Sequence, residues 1–286
     1  MKLNNPNIIY LLGAGRSGTT LIATVLNNNS FIHTLGEMHQ FLEYIEHENK
    51  CSCGETVSDC IYWGNILNRL KNEGIISSID YQQFEKKEKH KNIPKLLLKK
   101  NPDIAYLELH EGIFQVINES HQEQWVLDSS KYLARYLLLK RSNKLKIKGI
   151  YIVRDVRGVV TSFKKKVQTS RKPLSAIFYY LLINIFAQII SWTDKGVIKI
   201  RYEDFVQKPE ENIKYIFQKA LNFELDNFSM PDNFEMPHII GGNRMKSNKQ
   251  IQIRPDNKWK TELTRWEQII YYVLAFPVML INKYKV

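Results

Sequence analysis

The sequence predicts a three-layer α/β protein, in which a central parallel sheet of about five strands lies between flanking helices. Residues 8–12 form a short, uninterrupted apolar run, which is typical of a strand buried on both faces. A glycine-rich turn follows at once, and apolar residues then recur at helical spacing as far as Leu26. Later apolar runs that end in polar side chains supply the other strands, and the alternation of strand and helix favours a parallel sheet.

The turn after the first strand reads Gly, Ala, Gly, Arg, Ser, Gly, Thr, Thr over residues 13–20. We expect the following helix to begin between Ser17 and Thr19. The first N–H groups of a helix lack intrahelical partners and point back into the turn, where the helix dipole also favours an anion. The turn is therefore predicted to bind a phosphate group.

Gly13 and Gly18 nearly satisfy the phosphate-loop pattern of nucleoside-triphosphate-binding proteins, so the fold is predicted to be P-loop-like. Thr19 stands where that pattern has a lysine that reaches the β- and γ-phosphates. Its absence argues against a P-loop kinase or GTPase and the magnesium chemistry of those proteins. Arg16 instead supplies a planar, permanently charged group that is suited to a single phosphate.

The run from Arg16 to Thr20 resembles the 5′-phosphosulfate loop of sulfotransferases that use 3′-phosphoadenylyl sulfate (PAPS), in particular the bacterial, carbohydrate and tyrosylprotein enzymes. The resemblance implies that Arg16 also stabilises the leaving group during catalysis. The donor contacts that it implies in this loop are Gly15, Arg16, Ser17, Gly18, Thr19 and Thr20.

The composition is that of a globular protein, with 286 residues of which 44% are hydrophobic and 24% charged. We expect a single domain over residues 1–286, with a mainly helical insertion at about 40–120 that is the natural place for an acceptor-binding cap. The formal net charge of +12 indicates an anionic partner, and charge alone does not choose among a nucleotide, an acidic glycan, a nucleic acid and a membrane. The first strand begins within ten residues of Met1, so we expect no secretion signal and a cytoplasmic location.

The second strand is predicted over residues 31–34 and leads to Gly36 and Glu37. Ligands of parallel α/β sheets bind beyond the carboxyl ends of the strands, where Glu37 can face the donor. Similar sulfotransferases carry a Gly-Glu pair here, which implies that Glu37 is the general base for the acceptor hydroxyl. His39 is the second candidate for the base, and an acid that stabilises a helix N-terminus is the alternative interpretation of Glu37.

All three cysteines, Cys51, Cys53 and Cys60, fall within ten residues. An odd number excludes a fully paired disulfide framework within one chain. With His47 as a fourth ligand the cluster has the elements of a tetrahedral zinc site, although C-x-C spacing is less usual than C-x-x-C. We expect a reduced loop with buried thiols and leave zinc open; the segment also resembles an insertion in bacterial sulfotransferases.

The third strand is predicted over residues 125–128 and runs into Ser129, Ser130 and Lys131. This Asp-Ser-Ser-Lys segment resembles a motif of bacterial and carbohydrate sulfotransferases. A lysine ammonium at this position stabilises the negative charge that grows on the departing phosphate, so Lys131 is predicted to be catalytic. The alternative is a helix cap made by Asp128 or Ser129, with Lys131 merely solvated.

The fourth strand is predicted over residues 149–153 and leads to Arg154, and Ser162 follows eight residues later in the next helix. In identity and spacing the pair matches the 3′-phosphate site of the PAPS-dependent family. An arginine and a hydroxyl can hold a phosphate monoester without a metal ion. An ion pair between Arg154 and an acid at the strand end is the structural alternative.

Residues 174–192 are long and apolar enough to suggest a membrane span, but Asn184 and Gln188 lie four residues apart and predict a largely buried core helix with one polar face. The fifth strand, residues 197–200, then leads to Tyr202. The Tyr-Glu-Asp segment that begins there resembles the segment with which the family contacts adenine.

Residues 226–257 are predicted to form a loop, in which Arg254 and, less directly, Arg244 are candidate nucleotide contacts or simply solvated side chains. The apolar run over residues 269–281 suits either a docked helix or contact with a membrane surface.

The resemblance covers motifs from the first strand to Trp259 and implies a PAPS-dependent sulfotransferase. Its products are a sulfated acceptor and adenosine 3′,5′-bisphosphate. The basic charge and the apolar C-terminal run favour a hydroxyl on a glycan or a lipid-linked molecule as the acceptor. We expect no metal requirement and no nucleic-acid partner. The alternatives are a P-loop kinase or GTPase and a non-catalytic, basic nucleic-acid-binding protein. The second alternative would explain the net charge of +12 but not the paired phosphate sites.

Overall fold

A computed structural model of the chain describes residues 5–76, 80–99, 101–164, 171–225 and 230–286. Five strands form its central sheet, in the spatial order β2-β3-β1-β4-β5, and every pair of neighbours is parallel. The strands are β1 Asn7–Leu12, β2 Ile32–Gly36, β3 Trp125–Lys131, β4 Lys146–Val153 and β5 Val197–Arg201. The predicted five-stranded parallel sheet is confirmed, and the strands differ from the predicted spans only at their ends.

The helices flank the sheet and fill the connections between its strands. The α-helices are α1 Thr19–Asn27, α2 Phe41–Glu46, α3 Ile61–Asn72, α4 Tyr81–Glu88, α5 Ile93–Leu98, α6 Ile104–Glu119, α7 Leu133–Leu139, α8 Val156–Lys164, α9 Pro173–Thr193, α10 Tyr202–Gln207, α11 Pro209–Ile216, α12 Trp259–Glu262, α13 Arg265–Leu274 and α14 Phe276–Ile281. Five of them, α2 to α6, lie between β2 and β3, where the sequence predicts a helical insertion. Short 3-10 turns at Met38–Gln40, His90–Asn92 and Arg244–Ser247 and a π-helical turn at Phe217–Leu221 complete the regular structure.

Alternate side chains of the central strand enter two separate apolar cores. Ile8, Tyr10 and Leu12 pack on one face of the sheet, and Ile9 and Leu11 pack on the other. All five are fully buried. This alternation is what a strand with helices on both faces requires, and it accounts for the unbroken apolar run in the sequence.

Helix α9 is the one helix among the described residues that is long and apolar enough to cross a membrane by length and composition. Only 44% of its most apolar 18-residue stretch is buried, so the expectation of a largely buried helix overstates its burial. The polar pair faces inward rather than outward. Tyr151 Oη donates to Asn184 Oδ1 at 3.0 Å, and Lys199 Nζ donates to Gln188 Oε1 at 3.0 Å. These partners satisfy the buried amides, and other apolar side chains of the helix, such as Phe178, are exposed.

The region after α11 contains more order than the predicted loop. Phe234–Glu235 and Gln250–Ile251 form a short antiparallel pair, β6 and β7. Between them Ile240 makes a parallel bridge with Gly36 at the end of β2. Ile240 N donates to Leu35 O at 2.9 Å, and Glu37 N donates to Ile240 O at 2.7 Å. The segment around Ile240, which is remote in sequence, therefore pairs with the carboxyl end of the edge strand β2.

Candidate active site

Each of the five parallel strands ends next to one predicted site residue. Arg16, Glu37, Lys131, Arg154 and Tyr202 follow or close strands β1 to β5 in that order. Carboxyl ends of parallel strands share one edge of the sheet, which brings these side chains to one crevice. Strand β1 lies at the centre of the sheet. The strands β2 and β3 lie on one side of it, and β4 and β5 lie on the other.

The phosphate loop has the backbone shape that an anion seat needs. Gly18 caps α1 in the left-handed region with a φ of 88°, and the helix begins at Thr19 as predicted. Arg16 also has a positive φ, 69°, which is unusual for a residue with a side chain. The Ser17 side chain is fully buried, and its Oγ has no hydrogen-bond partner among the described residues. A buried hydroxyl of this kind is available to a ligand.

Hydrogen bonds of Arg16 and Arg154 join the phosphate loop to the end of β4 and to Ser162 in the last turn of α8. Arg16 Nε donates to Ser162 Oγ at 3.2 Å, and Arg154 Nη1 donates to Arg16 O at 3.0 Å. Burial and the neighbouring Arg154 guanidinium lower the pKa of Arg16. The two predicted phosphate seats are thus adjacent, and their positive charge is concentrated at a buried location that favours anions.

Arg154 is buried and has two partners besides Arg16 O. Its Nη2 lies 3.0 Å from Asp256 Oδ2, and its guanidinium lies 4.4 Å from the centre of the Tyr202 ring. The acid beside Arg154 comes from the late segment rather than from the strand end. Three residues later, Trp259 stacks against Arg157 at 4.1 Å, so the segment that carries Asp256 is held at two points.

Tyr202 lies directly against the phosphate loop. A Cβ atom on Gly18 would fall 2.3 Å from Cδ2 of this ring. Only glycine permits so close an approach at this position. The ring therefore contacts both the phosphate loop and the Arg154 guanidinium.

Glu37 and Lys131 form an ion pair between their carboxylate and ammonium groups. Their side chains are only 13% and 16% exposed, respectively. Lys131 has a positive φ of 67°, which turns its side chain away from the strand path, and the conformation costs about 1–3 kcal/mol in a non-glycine residue. The backbone of Glu37 is held by the bond to Ile240 described above. Lys131 is therefore not simply solvated.

Asp128 serves the scaffold rather than a helix cap. Its carboxylate accepts from Arg135 Nε at 3.1 Å and from the N–H and hydroxyl of Ser130. Ser130 Oγ in turn accepts from His39 N at 2.9 Å. The Asp-Ser-Ser-Lys segment thus positions the residues around Glu37, and helix α7 begins without a side-chain cap.

His39 lies near Glu37 in a stacked arrangement. Its ring is 4.3 Å from the centre of the Tyr132 ring, and His90 stacks on Tyr132 from the other side at 4.7 Å. Burial lowers the pKa of His39 below its ordinary value. Its Nδ1 is buried and lacks a partner among the described residues. His39 is thus a neutral ring beside the candidate base.

A cavity of about 480 Å³ opens in front of Glu37 and the phosphate loop. Its lining also includes residues that the sequence analysis did not single out, among them His90, Tyr132, Arg171 and Tyr179. Tyr179 Oη accepts from Gly15 N at 3.0 Å, and the Arg171 guanidinium stacks on the Tyr179 ring at 4.4 Å. The position of Tyr132 directly after Lys131 indicates that it lies near the site, whereas no local sequence pattern marks the other three residues.

The two candidate arginines of the late segment have different positions. Arg244 is close enough to Arg16 to lower its pKa, although burial and Arg154 have larger effects. Arg254 is exposed, and its Nε donates to Gln252 Oε1 at 3.0 Å. The described contacts of Arg254 therefore do not include the phosphate loop, although Asp256 two residues later reaches Arg154.

The chain was compared with known proteins. The model of the sulfotransferase family matches residues 6–224. Two solved structures, both 18% identical, are similar over nearly the whole chain. The sulfotransferase domain of the Synechococcus PCC 7002 olefin synthase has a TM-score of 0.57, with 99% of this chain and 97% of that chain covered. The sulfotransferase domain of the curacin biosynthetic pathway has a TM-score of 0.59, with 99% of each chain covered.

At that level of identity the two structures show a shared fold. A search of curated proteins found no significant match. The family match extends over more than half of the chain and includes every strand of the parallel sheet. The chain therefore belongs to the sulfotransferase family, and its general activity is the transfer of a sulfuryl group.

Proposed function

We propose that the protein transfers the sulfuryl group of PAPS to a hydroxyl of an acceptor and releases adenosine 3′,5′-bisphosphate. The observation that carries the proposal is the direct contact between the two predicted phosphate-binding sites, the phosphate loop and the pair Arg154 and Ser162. Arg16 in the phosphate loop bonds to Ser162, and Arg154 bonds to the backbone of Arg16. A donor with phosphates at both its 5′ and 3′ positions matches two adjacent cationic seats, whereas the triphosphate of ATP or GTP does not.

In this proposal the donor lies along the carboxyl edge of the sheet. The loop residues Gly15 to Thr20 bind the 5′-phosphosulfate through backbone N–H groups and the Ser17 hydroxyl. Arg154 and Ser162 bind the 3′-phosphate, which takes the place of Asp256 on the Arg154 guanidinium. Tyr202 contacts the adenine, and Arg244 and Arg254 close over the nucleotide.

In the chemical step Glu37 acts on the acceptor hydroxyl and Lys131 acts on the leaving group. The acceptor oxygen bonds to sulfur as the bond from sulfur to the bridging phosphate oxygen breaks, and Glu37 takes the hydroxyl proton. Lys131 and Arg16 stabilise the negative charge on the departing bisphosphate. Cationic side chains supply all of this stabilisation, and no step is assigned to a metal ion.

The acceptor enters through the cavity in front of Glu37. Helices of the insertion between β2 and β3 form one wall of the cavity, which supports a single domain with the insertion as its acceptor cap. The side chains of His90, Tyr132 and Tyr179 line the cavity, and the charge of Arg171 suits an acidic group on a glycan. We therefore assign a glycan or lipid-linked alcohol as acceptor and a cytoplasmic location, with the C-terminal helices on the membrane face.

Thermal unfolding in the presence of nucleotides tests the proposal. A ligand that binds only the folded state raises the unfolding midpoint. At a concentration of one hundred times its Kd, the ligand increases the free energy of unfolding by about 2.7 kcal/mol. We expect adenosine 3′,5′-bisphosphate to raise the midpoint and AMP, ATP with magnesium, and GTP with magnesium to raise it far less. A larger shift with a triphosphate, or salt-sensitive shifts only with DNA or RNA, would overturn the assignment of the donor.

A further inference from the structure

The fold brings four metal-ligating side chains together outside the candidate active site. The sulfurs of Cys51, Cys53 and Cys60 and a ring nitrogen of His238 all lie within 4.8 Å of one another. His238 Nδ1 is 3.2 Å from Cys60 Sγ and 3.9 Å from Cys51 Sγ. The histidine is 178 residues away from Cys60 in sequence, so only folding creates the cluster.

These separations are close to those of a tetrahedral zinc site. Zinc bonds of about 2.3 Å to sulfur and 2.0–2.1 Å to nitrogen, at tetrahedral angles, put sulfur and nitrogen about 3.6 Å apart and two sulfurs about 3.8 Å apart. The two measured distances to His238 bracket the first value. Small side-chain rotations therefore suffice to complete the coordination.

His47, which the sequence suggests as the fourth ligand, is engaged elsewhere. Its Nε2 lies 3.2 Å from Tyr81 Oη. It is absent from the group that the cysteines form with His238. The correct histidine lies in the late segment, beyond the reach of any spacing rule based on the cysteine window.

We propose that Cys51, Cys53, Cys60 and His238 bind a structural zinc ion. Four protein ligands close the coordination sphere, which is the mark of a structural rather than a catalytic zinc site. Cys51 and Cys60 are buried and Cys53 is exposed, so the metal enters from the Cys53 side. The proposal is independent of the donor and acceptor assigned above.

The metal joins two segments that already contact each other through hydrogen bonds. Ser52 Oγ accepts from Ile239 N at 3.0 Å and donates to Pro237 O at 2.5 Å, and Trp63 Nε1 donates to His238 O at 2.9 Å. A metal held by both segments fixes the cysteine loop against residues 237–240.

The same segment reaches the candidate base. Two residues after His238, Ile240 O accepts from Glu37 N at 2.7 Å. The zinc ion therefore supports the backbone that positions Glu37, without touching the donor seat. This is a positioning role exerted through the late segment.

Metal analysis of the purified full-length chain tests the proposal. The protein is prepared without metal-affinity steps, supplied with zinc during expression, and dialysed against a mild chelator. We expect about one zinc ion per chain in the wild type and in His47→Gln, and a loss of most of the zinc in Cys53→Ser and His238→Gln. Cys53→Ser changes an exposed side chain, so it is the variant best placed to fold normally. Equal zinc retention in all four proteins, or loss in His47→Gln alone, would overturn the ligand set.

Cobalt substitution of the wild-type protein tests the metal site without relying on any variant. A Cys₃His site gives intense thiolate-to-cobalt charge-transfer absorption together with the visible bands of tetrahedral cobalt, and zinc displaces both. A wild-type protein that holds no zinc and shows no thiolate–cobalt absorption has a cluster of free thiols, and the proposal is then wrong. Removal of the bound metal with a strong chelator is expected to lower the unfolding midpoint of the wild type.

Discussion

At the scale of single residues, the crevice places opposite charges in direct contact. Glu37 is paired with Lys131, and Arg154 is paired with Asp256. Each pair joins a candidate catalytic or binding group to a partner that is remote in sequence. A ligand that binds to one member of a pair must therefore displace the other member. Substitutions of the two members of a pair are accordingly expected to have different effects.

Replacement of Glu37 by Gln is expected to reduce turnover by about 10²–10⁴ and to leave bisphosphate affinity nearly unchanged. The amide keeps the size of the carboxylate but cannot accept the hydroxyl proton. Transfer to an acceptor, or slow hydrolysis of PAPS where no acceptor is known, gives the rate, and calorimetry gives the affinity. His39→Ala is the matched control because His39 is adjacent but is assigned no proton. If His39→Ala loses the rate while Glu37→Gln keeps it, His39 is the base.

Replacement of Arg154 by Ala is expected to weaken adenosine 3′,5′-bisphosphate more than tenfold, since a hydrogen bond to a charged group contributes about 1.5–3 kcal/mol. Adenosine 5′-phosphosulfate, which lacks the 3′-phosphate, is expected to bind almost as well as to the wild type. Asp256→Asn is the matched variant, and it is expected to strengthen bisphosphate binding because it removes the acid that competes for Arg154. Equal losses for both nucleotides in Arg154→Ala would show that Arg154 is structural.

At the scale of elements, a buried ionic network joins α4, α6, α7 and β3 beneath the site. Arg135 donates to Glu88 at 2.6 Å and to Asp128 at 3.1 Å, and His110 Nε2 lies 3.1 Å from Arg135. All four side chains are at most 5% exposed. Burial alone would raise the pKa of Glu88, but the charge of Arg135 and the bond from His110 lower that pKa to about 2. Burial and the Arg135 charge lower the pKa of His110 to about 4.

This network predicts a loss of stability in acid. Between pH 6.5 and about 4 the unfolded chain protonates His110 while the folded protein does not, so stability falls as the pH falls through this window. Glu88 contributes stability above pH 4.5, which is lost as the pH falls from about 4.5 towards 2. Each group contributes a slope of up to about 1.4 kcal/mol per pH unit within its window.

Urea unfolding at a series of pH values measures this dependence. His110→Gln is the matched variant, because it removes one titrating group and is expected to flatten the curve between pH 6.5 and 4. His33 and His90, whose pKa values burial lowers to about 4, keep part of the slope in that variant. A curve that is unchanged by the substitution would place the acid sensitivity outside this network.

At the scale of the whole molecule, the C-terminal helices carry an unusual amount of exposed apolar surface. Trp266 is 75% exposed, and several other apolar side chains of α13 and α14 are exposed as well. Exposed lysines follow at Lys283 and Lys285. Apolar side chains beside basic residues are typical of a helix that lies on an anionic membrane surface.

Vesicle sedimentation tests this surface. We expect the protein to sediment with vesicles that contain anionic lipid and much less with neutral ones, and Trp266→Gln to weaken that binding. Trp192→Gln, which changes a tryptophan that is 66% exposed on α9, is the matched control and is expected to bind like the wild type. Equal weakening in both variants would argue for general surface hydrophobicity, and an absence of binding by the wild type would remove the membrane assignment.

The sequence by itself determined the parallel sheet, the phosphate loop and the residue that follows each strand. These features are local, because a buried strand needs a continuous apolar run and a helix N-terminus needs its turn within a few residues. Because Arg16, Glu37, Lys131, Arg154 and Tyr202 follow or close successive strands, the sequence predicts that they share one edge of the sheet.

The tertiary structure alone decided which distant side chains join the candidate site and the cluster of three cysteines and one histidine. Asp256 is 102 residues from Arg154, and no periodicity links them. His238, rather than His47, joins the cysteines because Ile240 adds its segment to the end of β2. The inward polar face of α9 likewise depends on Tyr151 and Lys199, which lie on neighbouring strands. Such contacts are fixed by the packing of segments far apart in the chain, for which local sequence carries no signal.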